Sequence, residues 1–261
     1  MSISISSINY CPVKSISFKT IKSCEIRKNI GIVGDRIFAF SKGLDLKQAQ
    51  LFEKKLEQRR GKWNKILTLK NSPSLNKYNF FLDNDKLTLT QNDNSILTIN
   101  SNERDKYELL SNKILDLESS LQKPIFLMNN KDMPFFDTSI SNKTLLTHSV
   151  SLINVKSIED FRNKTNQAIE TQRFRGNIYF DGIEAWEERN WIGKIIKIND
   201  ISFKVEKNIP RCVAINLKPN TDDNSLNLLQ SLKKNYSHFD MGVYLTALDN
   251  GLINIGDNIT L

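Results

Sequence analysis

Hydrophobic and polar residues alternate along much of this chain, and a period of two is typical of β-strands. Residues 77–99 predict three strands separated by two Asn/Asp turns. Residues 193–205 predict a hairpin around Asn199, and residues 242–261 predict another hairpin that turns at 249–251, where a glycine can supply positive φ. The pattern therefore predicts a β-rich protein.

Helical periodicity is less frequent. Apolar residues spaced three or four positions apart predict helices at 104–122, 155–165 and 225–236, the last of them capped by Asn224. Many short strands with scattered helices favour a β-barrel or sandwich with helical decoration. A domain boundary is expected in the irregular, polar stretch 123–142, which contains two prolines.

Composition narrows the class of protein. The 261 residues are 39% hydrophobic and 25% charged, which is typical of a soluble globular protein. No apolar run approaches the roughly 18 residues of a membrane span, and we see no signal peptide, so we expect a cytoplasmic protein. The three cysteines are widely spaced without a C-x-x-C pair, and the chain has two histidines, which argues against a disulfide framework or a zinc site.

The formal net charge of +8 suits nucleic acid, an anionic cofactor or an acidic protein partner. The densest basic run, residues 53–65, follows Ala49, Phe52 and Leu56 at helical spacing. This pattern favours a solvated helix face over a phosphate-binding surface, and no nucleic-acid-binding motif accompanies it. We therefore expect no nucleic-acid partner.

Two turns carry cations that could hold an anion. Lys14 and Ser15 follow a proline, and Arg36 follows a Gly-Asp turn at the entry of a strand. Taken alone, each is more typical of an ordinary turn or a surface cation.

The stretch 171–182 is less ordinary. Arg175 and Asn177 precede a short apolar strand and would share one face if the strand alternates. A guanidinium suits phosphate or the edge of a planar heterocycle. Pairing of an arginine here with Glu184, Glu187 or Glu188 is an equally good reading.

Cys212 directly follows Arg211, whose positive charge would favour the thiolate. A thiolate is a nucleophile or a ligand for a soft metal, and His148 or His238 could serve as a base. A lone cysteine is more often a small buried hydrophobe. From these residues alone the inert reading is favoured.

A series of motifs nevertheless resembles one family in order along nearly the whole chain. They are "YCPVKS" (10–15), "GIVGDR" (31–36), "SLINVKSIEDF" (151–161), "RFRGNI" (173–178), "PRCVAINLKPNT" (210–221), "LNLLQSLKKNY" (226–236), "MGVYL" (241–245) and "GLINIGDNI" (251–259). Together they resemble MOSC-domain proteins that carry an N-terminal β-barrel domain, such as the mitochondrial amidoxime-reducing component and its bacterial relatives.

The resemblance implies an α+β, β-rich fold. Residues 1–125 would form the N-terminal MOSC β-barrel domain, and residues 126–261 the MOSC domain, a β-barrel core with helical decoration. It also implies a molybdenum cofactor (molybdenum–molybdopterin), with no role for pyridoxal phosphate. Cys212 corresponds to the family's metal ligand, and soft thiolate suits this metal. Cys212 is thus the implied catalytic and metal-binding residue.

The same resemblance assigns the other cofactor-binding positions. Lys14, Ser15 and Arg36 match the residues that hold the cofactor phosphate, while Arg175 and Asn177 match those against the pterin. The remaining implied contacts are Thr147, His148 and Ser149, which match by spacing only, with Pro210 and Arg211 beside the ligand and Tyr244 in the G-V-Y motif.

Two departures from the family pattern carry expectations. Gly176 stands where many relatives have proline, which should loosen that turn. The stretch "AINLKPNT" lacks the usual form after the cysteine, which puts substrate preference in doubt.

The implied activity is reduction of small N-hydroxylated substrates, amidoximes or hydroxylamines, by a molybdenum-dependent oxidoreductase. The alternative is a carrier of molybdenum cofactor or of sulfur without reductase activity. The chain lacks motifs for an iron–sulfur centre or a nicotinamide or flavin site. We therefore expect electrons from a separate protein of the ferredoxin, flavodoxin or cytochrome b5 type. Such donors are commonly acidic, and residues 54–65 are one candidate docking face.

Overall fold

The computed structural model describes residues 2–16, 18–59, 61–136, 138–139, 145–146 and 149–261. Its strands are β1 Ser4–Tyr10, β2 Lys19–Ile21, β3 Ser23–Arg27, β4 Gly31–Ile32, β5 Phe38–Phe40, β6 Tyr78–Asp83, β7 Lys86–Gln91, β8 Asn94–Asn100, β9 Leu127–Asn129, β10 Thr138–Ser139, β11 Leu145–Leu146, β12 Ser149–Asn154, β13 Ile178–Asp181, β14 Ile195–Ile198, β15 Ile201–Pro210, β16 Asp240–Ala247, β17 Gly251–Asn254 and β18 Ile259–Thr260. Its α-helices are α1 Leu46–Lys54, α2 Leu56–Arg59, α3 Tyr107–Leu117, α4 Val155–Thr165 and α5 Leu228–Tyr236. Short 3₁₀ turns cover Trp63–Lys65, Pro73–Lys77, Arg104–Lys106, Thr171–Phe174, Glu187–Trp191 and Val213–Asn216.

The largest sheet has eight strands in the order β18-β14-β15-β16-β12-β13-β1-β2. Its neighbours are antiparallel except β12 and β13, which run parallel and are joined by a crossover that contains α4. Every residue of β12 is buried, because the strand lies centrally with packing on both faces. The predicted α+β, β-rich fold is confirmed.

The two ends of this sheet approach each other without a complete ladder between them in the described part of the chain. The Ile5 amide donates to the Asp257 carbonyl at 2.9 Å, and the Gly256 amide donates to the Ile5 carbonyl at 2.8 Å. An isolated antiparallel bridge joins Ser4 and Asn258. These contacts tie β1 to the segment that leads into β18, so both ends of the chain contribute to one sheet.

Smaller sheets form the rest of the molecule. The order β6-β7-β8 is the three-stranded meander that residues 77–99 predict, while β5 pairs with β9. A separate apolar core built mainly from residues 37–127 lies under them, and α3 contributes Leu110 and Ile114 to it. Within the first 33 residues, β1 and β2 belong to the large sheet, and β3 and β4 form a three-stranded sheet with β17. The predicted domain division at residue 125 stays a prediction.

Three local predictions differ from the structure. The hairpin predicted for 242–261 is wrong: residues 249–251 contain only a bend at Asp249, Gly251 begins β17 without a positive φ, and β17 pairs with β3 rather than with β16. β16 is hydrogen-bonded to β12 along one edge and to β15 along the other, so neither edge is open for β17 to pair with. Helix α5 is capped by Asn227 rather than Asn224, because the Asn227 side chain accepts from the Gln230 amide at 3.4 Å.

The predicted helix over 104–122 is shorter than its periodicity suggested. A 3₁₀ turn precedes α3, and the helix ends before Glu118. The Glu118 carboxylate turns inward, where it accepts from the Tyr78 hydroxyl at 2.8 Å and pairs with the Lys77 ammonium at 2.9 Å. By contrast, α4 spans the predicted residues 155–165, and the hairpin at 193–205 forms as β14 and β15.

The basic run 53–65 is not a continuous helix, since α1 ends at Lys54 and α2 begins at Leu56. Arg59 is fully buried, and its guanidinium donates to the carbonyls of Phe52 at 2.8 Å and Glu53 at 2.6 Å. This arginine is therefore a structural residue. Among the helices that the structure describes, none has the length and apolar character needed to cross a bilayer.

Candidate functional site

Cys212 lies where the long strand β15 ends and a 3₁₀ turn begins. Its side chain is exposed, and its backbone is extended at φ −124° and ψ 177° as it caps the turn Val213–Asn216. The buried Ile215 and Leu217 anchor that turn in the cores on either side. The thiol is thus accessible on a firmly packed backbone.

Arg211 supports Cys212 through the backbone. Its guanidinium donates to the Phe174 carbonyl at 2.6 Å, and its Nε donates to the Met241 carbonyl at 3.0 Å. Burial lowers the pKa of Arg211, while the Tyr244 hydroxyl acts in the opposite direction. The backbone amide of Arg211 donates to the Phe239 carbonyl at 2.9 Å. Arg211 is therefore fixed by both its side chain and its backbone, which fixes the position of Cys212 after it.

Arg175 is oriented differently from its neighbours. It adopts the left-handed conformation (φ 50°, ψ 42°) after the turn Thr171–Phe174, and its half-buried side chain makes no hydrogen bond to the described residues. Burial lowers the pKa of Arg175, and the Arg36 charge acts in the same direction, whereas the thiols of Cys11 and Cys212 act in the opposite one. The guanidinium therefore lies within electrostatic range of both the Arg36 charge and the candidate ligand.

Strand alternation does not explain the pairing of Arg175 with Asn177, because β13 begins at Ile178. Nor does either arginine of this stretch pair with Glu184, Glu187 or Glu188 in the described structure. Arg173 is an ion-pair partner of Glu170 at 2.5 Å, and its Nη1 donates to the Asn216 carbonyl at 2.6 Å. Only Arg175 of the two is left for a ligand.

Asn177 is completely buried and held by protein groups. Its Oδ1 accepts from the Ser151 hydroxyl at 2.9 Å, and its Nδ2 donates to the Asn9 carbonyl at 3.2 Å. Arg36 Nη1 lies 3.4 Å from the same Oδ1. The amide thus joins β1, β12 and β13 and helps to orient Arg36.

The N-terminal cations converge on this junction. The Lys14 amide donates to the Phe38 carbonyl at 2.7 Å, and the Arg36 amide donates to the Cys11 carbonyl at 2.6 Å. Ser15 has φ of 66°, a left-handed turn that follows Lys14 directly. Arg36 pairs with the buried Asp35, whose pKa is raised by burial.

Aromatic rings link these cations to the C-terminal half. The Phe18 ring lies 4.8 Å from the Arg175 guanidinium and 5.5 Å from that of Arg36. The Phe136 ring lies 5.1 Å from Arg36 and 5.8 Å from the Lys14 ammonium. Its centroid is 5.6 Å from that of Tyr244, edge to face. We call this group the cation–aromatic cluster; its members are Lys14, Phe18, Arg36, Phe136, Arg175 and Tyr244.

Sequence reasoning missed Phe18 and Phe136. Both lie close to motifs that were singled out, Phe18 three residues after Ser15 and Phe136 in the irregular stretch before β12. Aromatic residues beside a cation motif are a usable signal, because guanidinium groups stack on ring faces. Beside Arg175 and Phe18 lies a small cavity of about 60 Å³ that also touches Asn76 and Leu217.

Ser149 begins β12, and its buried hydroxyl has no hydrogen-bond partner among the described residues. Ser151, two residues further on, lies opposite Tyr244 in the strand register. A buried hydroxyl without a partner costs free energy unless a ligand or water completes it. Thr147 and His148 lie outside the described residues, and Pro210 is an exposed residue at the end of β15.

Gly176 does not loosen its turn. A Cβ added there would lie 2.6 Å from Ile153 Cδ1 and 3.0 Å from Tyr179 Cζ, and the Gly176 amide donates to the Tyr179 hydroxyl at 3.0 Å. The position is closely packed, and the absence of a side chain is what allows this approach.

A Cys212–His238 nucleophile finds no support among the described residues, and His148, the other candidate base, lies outside them. His238 Nδ1 accepts from the Asp240 amide at 3.1 Å, and its ring stacks on Tyr236 with centroids 5.8 Å apart. Burial lowers the pKa of His238, with the Arg189 charge as the next cause. No hydrogen bond joins His238 to Cys212 in the described structure.

A model of the MOSC domain family matches residues 122–260, which is more than half of the chain. The matched region contains the exposed Cys212, Arg175 and all of the large sheet except β1 and β2. The chain therefore belongs to the MOSC domain family.

Individual relatives are distant. The chain is 32% identical over 72 residues to mitochondrial amidoxime reducing component 2 of Rattus norvegicus, a match over 28% of this chain and 21% of the rat protein. The match thus spans about a fifth of that relative's length. Among solved structures, the YUAD protein from Bacillus subtilis has a TM-score of 0.44 at 10% identity, over 99% of this chain and 94% of the other. YiiM from Geobacillus stearothermophilus has a TM-score of 0.35 at 15% identity, over 43% and 53%.

Proposed function

We propose that this protein binds a molybdenum cofactor with the Cys212 thiolate as the protein ligand, and reduces small N-hydroxylated compounds such as amidoximes and hydroxylamines. The observation that carries the proposal is the exposed Cys212 on a packed backbone, within electrostatic range of Arg175. Membership of the MOSC family and the partial similarity to an amidoxime reducing component support the same function.

The residues present fit such a cofactor. Its phosphate and dithiolene sulfurs are anionic, and three cations approach one another in the cation–aromatic cluster. Bringing like charges together in a partly buried place costs free energy that an anionic ligand recovers. The buried Ser149 hydroxyl, which has no hydrogen-bond partner among the described residues, supplies a donor, and the Cys212 sulfur supplies a soft ligand.

Within this proposal the chain's own residues bind and orient. Lys14, Ser15 and Arg36 hold the phosphate, and Arg175 offsets charge near the sulfur of Cys212. Tyr244 packs against Phe136 and limits access from that side. When bound, the cofactor would supply a metal centre that removes oxygen from the substrate. The overall reaction of an amidoxime breaks its N–O bond, consumes two electrons and two protons, and yields an amidine and water.

Metal and pterin analysis of protein from a molybdate-replete host tests the proposal. We expect about one molybdenum and one pterin per chain, and loss of activity in protein from tungstate-grown cells. The same protein should reduce benzamidoxime with reduced benzyl viologen as the artificial donor. A chain without pterin overturns the proposal, while pterin with no benzamidoxime reduction favours a carrier of cofactor or sulfur.

A further inference from the structure

The C-terminal end of α5 lies beside Cys212. The Phe239 carbonyl accepts from the Arg211 amide at 2.9 Å, and Pro210 is the register partner of Asp240. Residues paired across strands lie about 5 Å apart, and successive Cα atoms are 3.8 Å apart, so Phe239 and Cys212 have Cα atoms within roughly 10 Å. Whatever docks at this end of α5 comes close to the candidate metal ligand.

Aromatic side chains form the surface there. Tyr236, the last residue of α5, packs on Trp186 with centroids 4.3 Å apart and on His238. The helix ends at Ser237, which is left-handed (φ 63°), so the chain turns sharply and presents Phe239 to solvent at 37% exposure. An exposed phenylalanine beside packed rings forms a small apolar surface patch.

Lysines surround this patch. Lys233 and Lys234 are exposed on the last turn of α5, and the Lys233 ammonium lies 5.5 Å from the Phe239 ring and donates to the Ser237 carbonyl at 3.0 Å. The Lys164 ammonium of α4 lies 4.4 Å from the Tyr236 ring. We call Lys164, Lys233, Lys234, Tyr236, His238 and Phe239 the α5 patch.

The carboxylates near the patch are already engaged. Asp160 accepts from Trp186 Nε1 and from the Tyr236 hydroxyl, both at 2.7 Å. Asp240 pairs with Arg189 at 3.3 Å. Lys164 also pairs with Asp160 at 3.4 Å, so Lys233 and Lys234 are the exposed cations of the patch that have no carboxylate partner among the described residues.

We propose that the α5 patch is the docking surface for a small acidic one-electron carrier protein. The proposal rests on the proposed function, because that function requires electrons from outside the chain. A small apolar centre surrounded by cations suits a weak, fast encounter with an acidic partner. The patch also places the partner near Cys212, whereas the basic run 54–65 includes the buried Arg59.

The electron balance requires two encounters. Each reduced carrier delivers one electron and leaves oxidised, and two electrons with two protons from solvent convert one amidoxime to an amidine and water. A partner that must leave after each electron gains from a weak interface with a short residence time.

Charge-neutralising variants test the docking surface. The double variant Lys233→Gln with Lys234→Gln removes two charges at the patch. The control Lys54→Gln with Lys55→Gln removes two charges from the basic run. With pre-reduced cytochrome b5, an acidic carrier, we expect the patch variant to need at least about fivefold more carrier for half-maximal rate, and the control to match wild type. The wild-type rate should fall as salt rises, because salt screens the attraction.

Reduced benzyl viologen, which is small and positively charged, separates the failure of docking from the failure of the function. Both double variants should keep the wild-type rate with it, since neither touches the site. If wild type shows no rate with viologen, the proposed function fails, and docking is judged by cross-linking alone.

Cross-linking supplies a readout that needs no turnover. Oxidised cytochrome b5 treated with a carbodiimide should join its carboxylates to Lys233 or Lys234, and basic cytochrome c should not. Cross-links at Lys54 or Lys55 instead, or equal carrier dependence in both double variants, would overturn the assignment of the patch.

Discussion

At the scale of single residues, the role of Cys212 depends on how its neighbours are used. Arg211 is adjacent in sequence, but its guanidinium is bound to the carbonyls of Phe174 and Met241. Arg175 is 37 positions away and makes no hydrogen bond to the described residues. The cation available for a ligand near the thiol is therefore the distant arginine rather than the adjacent one.

Replacing Cys212 with serine should abolish benzamidoxime reduction and leave the fold intact. The side chain is exposed at the start of a 3₁₀ turn, so the free energy of unfolding should change by less than about 0.5 kcal/mol. The hydroxyl is a poor substitute for a thiolate on a soft metal. Turnover and chemical denaturation are measured together.

The matched control is Cys24→Ser, for which we expect lost stability and retained turnover. Cys24 is buried, and burial raises its pKa to about 12. A hydroxyl in that apolar core should cost about 1–3 kcal/mol of stability while turnover per folded molecule persists. Wild-type turnover by Cys212→Ser would remove that residue from the ligand role.

Replacing Arg175 with alanine should lower cofactor occupancy without destabilising the apoprotein. Burial lowers the pKa of this guanidinium, and it makes no hydrogen bond to the described residues that would offset the cost. The apoprotein should therefore unfold at the same denaturant concentration as wild type or a higher one. A lost charge-assisted contact should weaken cofactor binding by at least about tenfold.

Pterin per chain and denaturant midpoint are the two measurements for Arg175→Ala. Arg27→Ala is the control, since Arg27 is exposed and pairs with Glu25 at 3.1 Å. Full pterin occupancy in Arg175→Ala would show that the guanidinium does not hold the cofactor. A stability loss as large as about 2 kcal/mol would show that it has a structural role instead.

At the scale of elements, the position of β16 in the sheet requires a glycine. Gly242 has φ of +79°, and an added Cβ would lie 2.5 Å from the Leu152 carbonyl oxygen on the neighbouring β12. That strand carries Ser149 and Ser151, so the close approach of Gly242 helps to fix the position of the strand that bears both serines.

Gly242→Ala should destabilise the protein by about 2–4 kcal/mol, because it combines backbone strain with a clash against a backbone oxygen. Gly193→Ala separates the two causes, since Gly193 also has positive φ (+84°) but an added Cβ meets nothing within 4 Å. It should cost about 1 kcal/mol. Equal losses in the two variants, measured by denaturation, would mean that the close approach to β12 contributes nothing.

At the scale of the whole molecule, the MOSC region needs strands from the beginning of the chain. The family model begins at residue 122, but β1 pairs with β13, and β3 pairs with β17. Ile5, Ile8 and Ile26 are buried in the same core as Trp191 and Phe203. The sheet and its core are therefore incomplete in the matched region alone.

A fragment of residues 122–261 should consequently fail to fold by itself. Without β1 it exposes the edge of β13 and the apolar residues that Ile5 and Ile8 cover, which favours aggregation. We expect strong binding of an apolar dye and no cooperative thermal transition, with the full chain as the control. A cooperative transition in the fragment near the midpoint of the full chain would contradict this view of the sheet.

Much of the local structure follows from the sequence because it depends on neighbouring residues. The alternation in 77–99 and the Asn/Asp turns specify β6, β7 and β8, and the apolar spacing in 155–165 specifies α4. Strand partners were harder to predict, as β17 shows: a hairpin with β16 was predicted, but β17 pairs with β3, because both edges of β16 are hydrogen-bonded to β12 and β15.

For the candidate site, too, the sequence identifies residue types, whereas the contacts of these residues appear only in the structure. The motifs brought out Cys212, Lys14, Arg36 and Arg175 as chemically apt residue types, since cation and thiol chemistry can be read from residue identity. The sequence by itself thus determined the β-rich class and many of the elements, and its motifs offered Cys212 and these cations as candidates. Only the tertiary structure decided that Arg211 is bound to carbonyls, that Asn177 joins three strands, and that Phe18 and Phe136 link the cations. These roles depend on contacts between segments far apart in the chain, and a local pattern carries no record of which distant group meets a side chain.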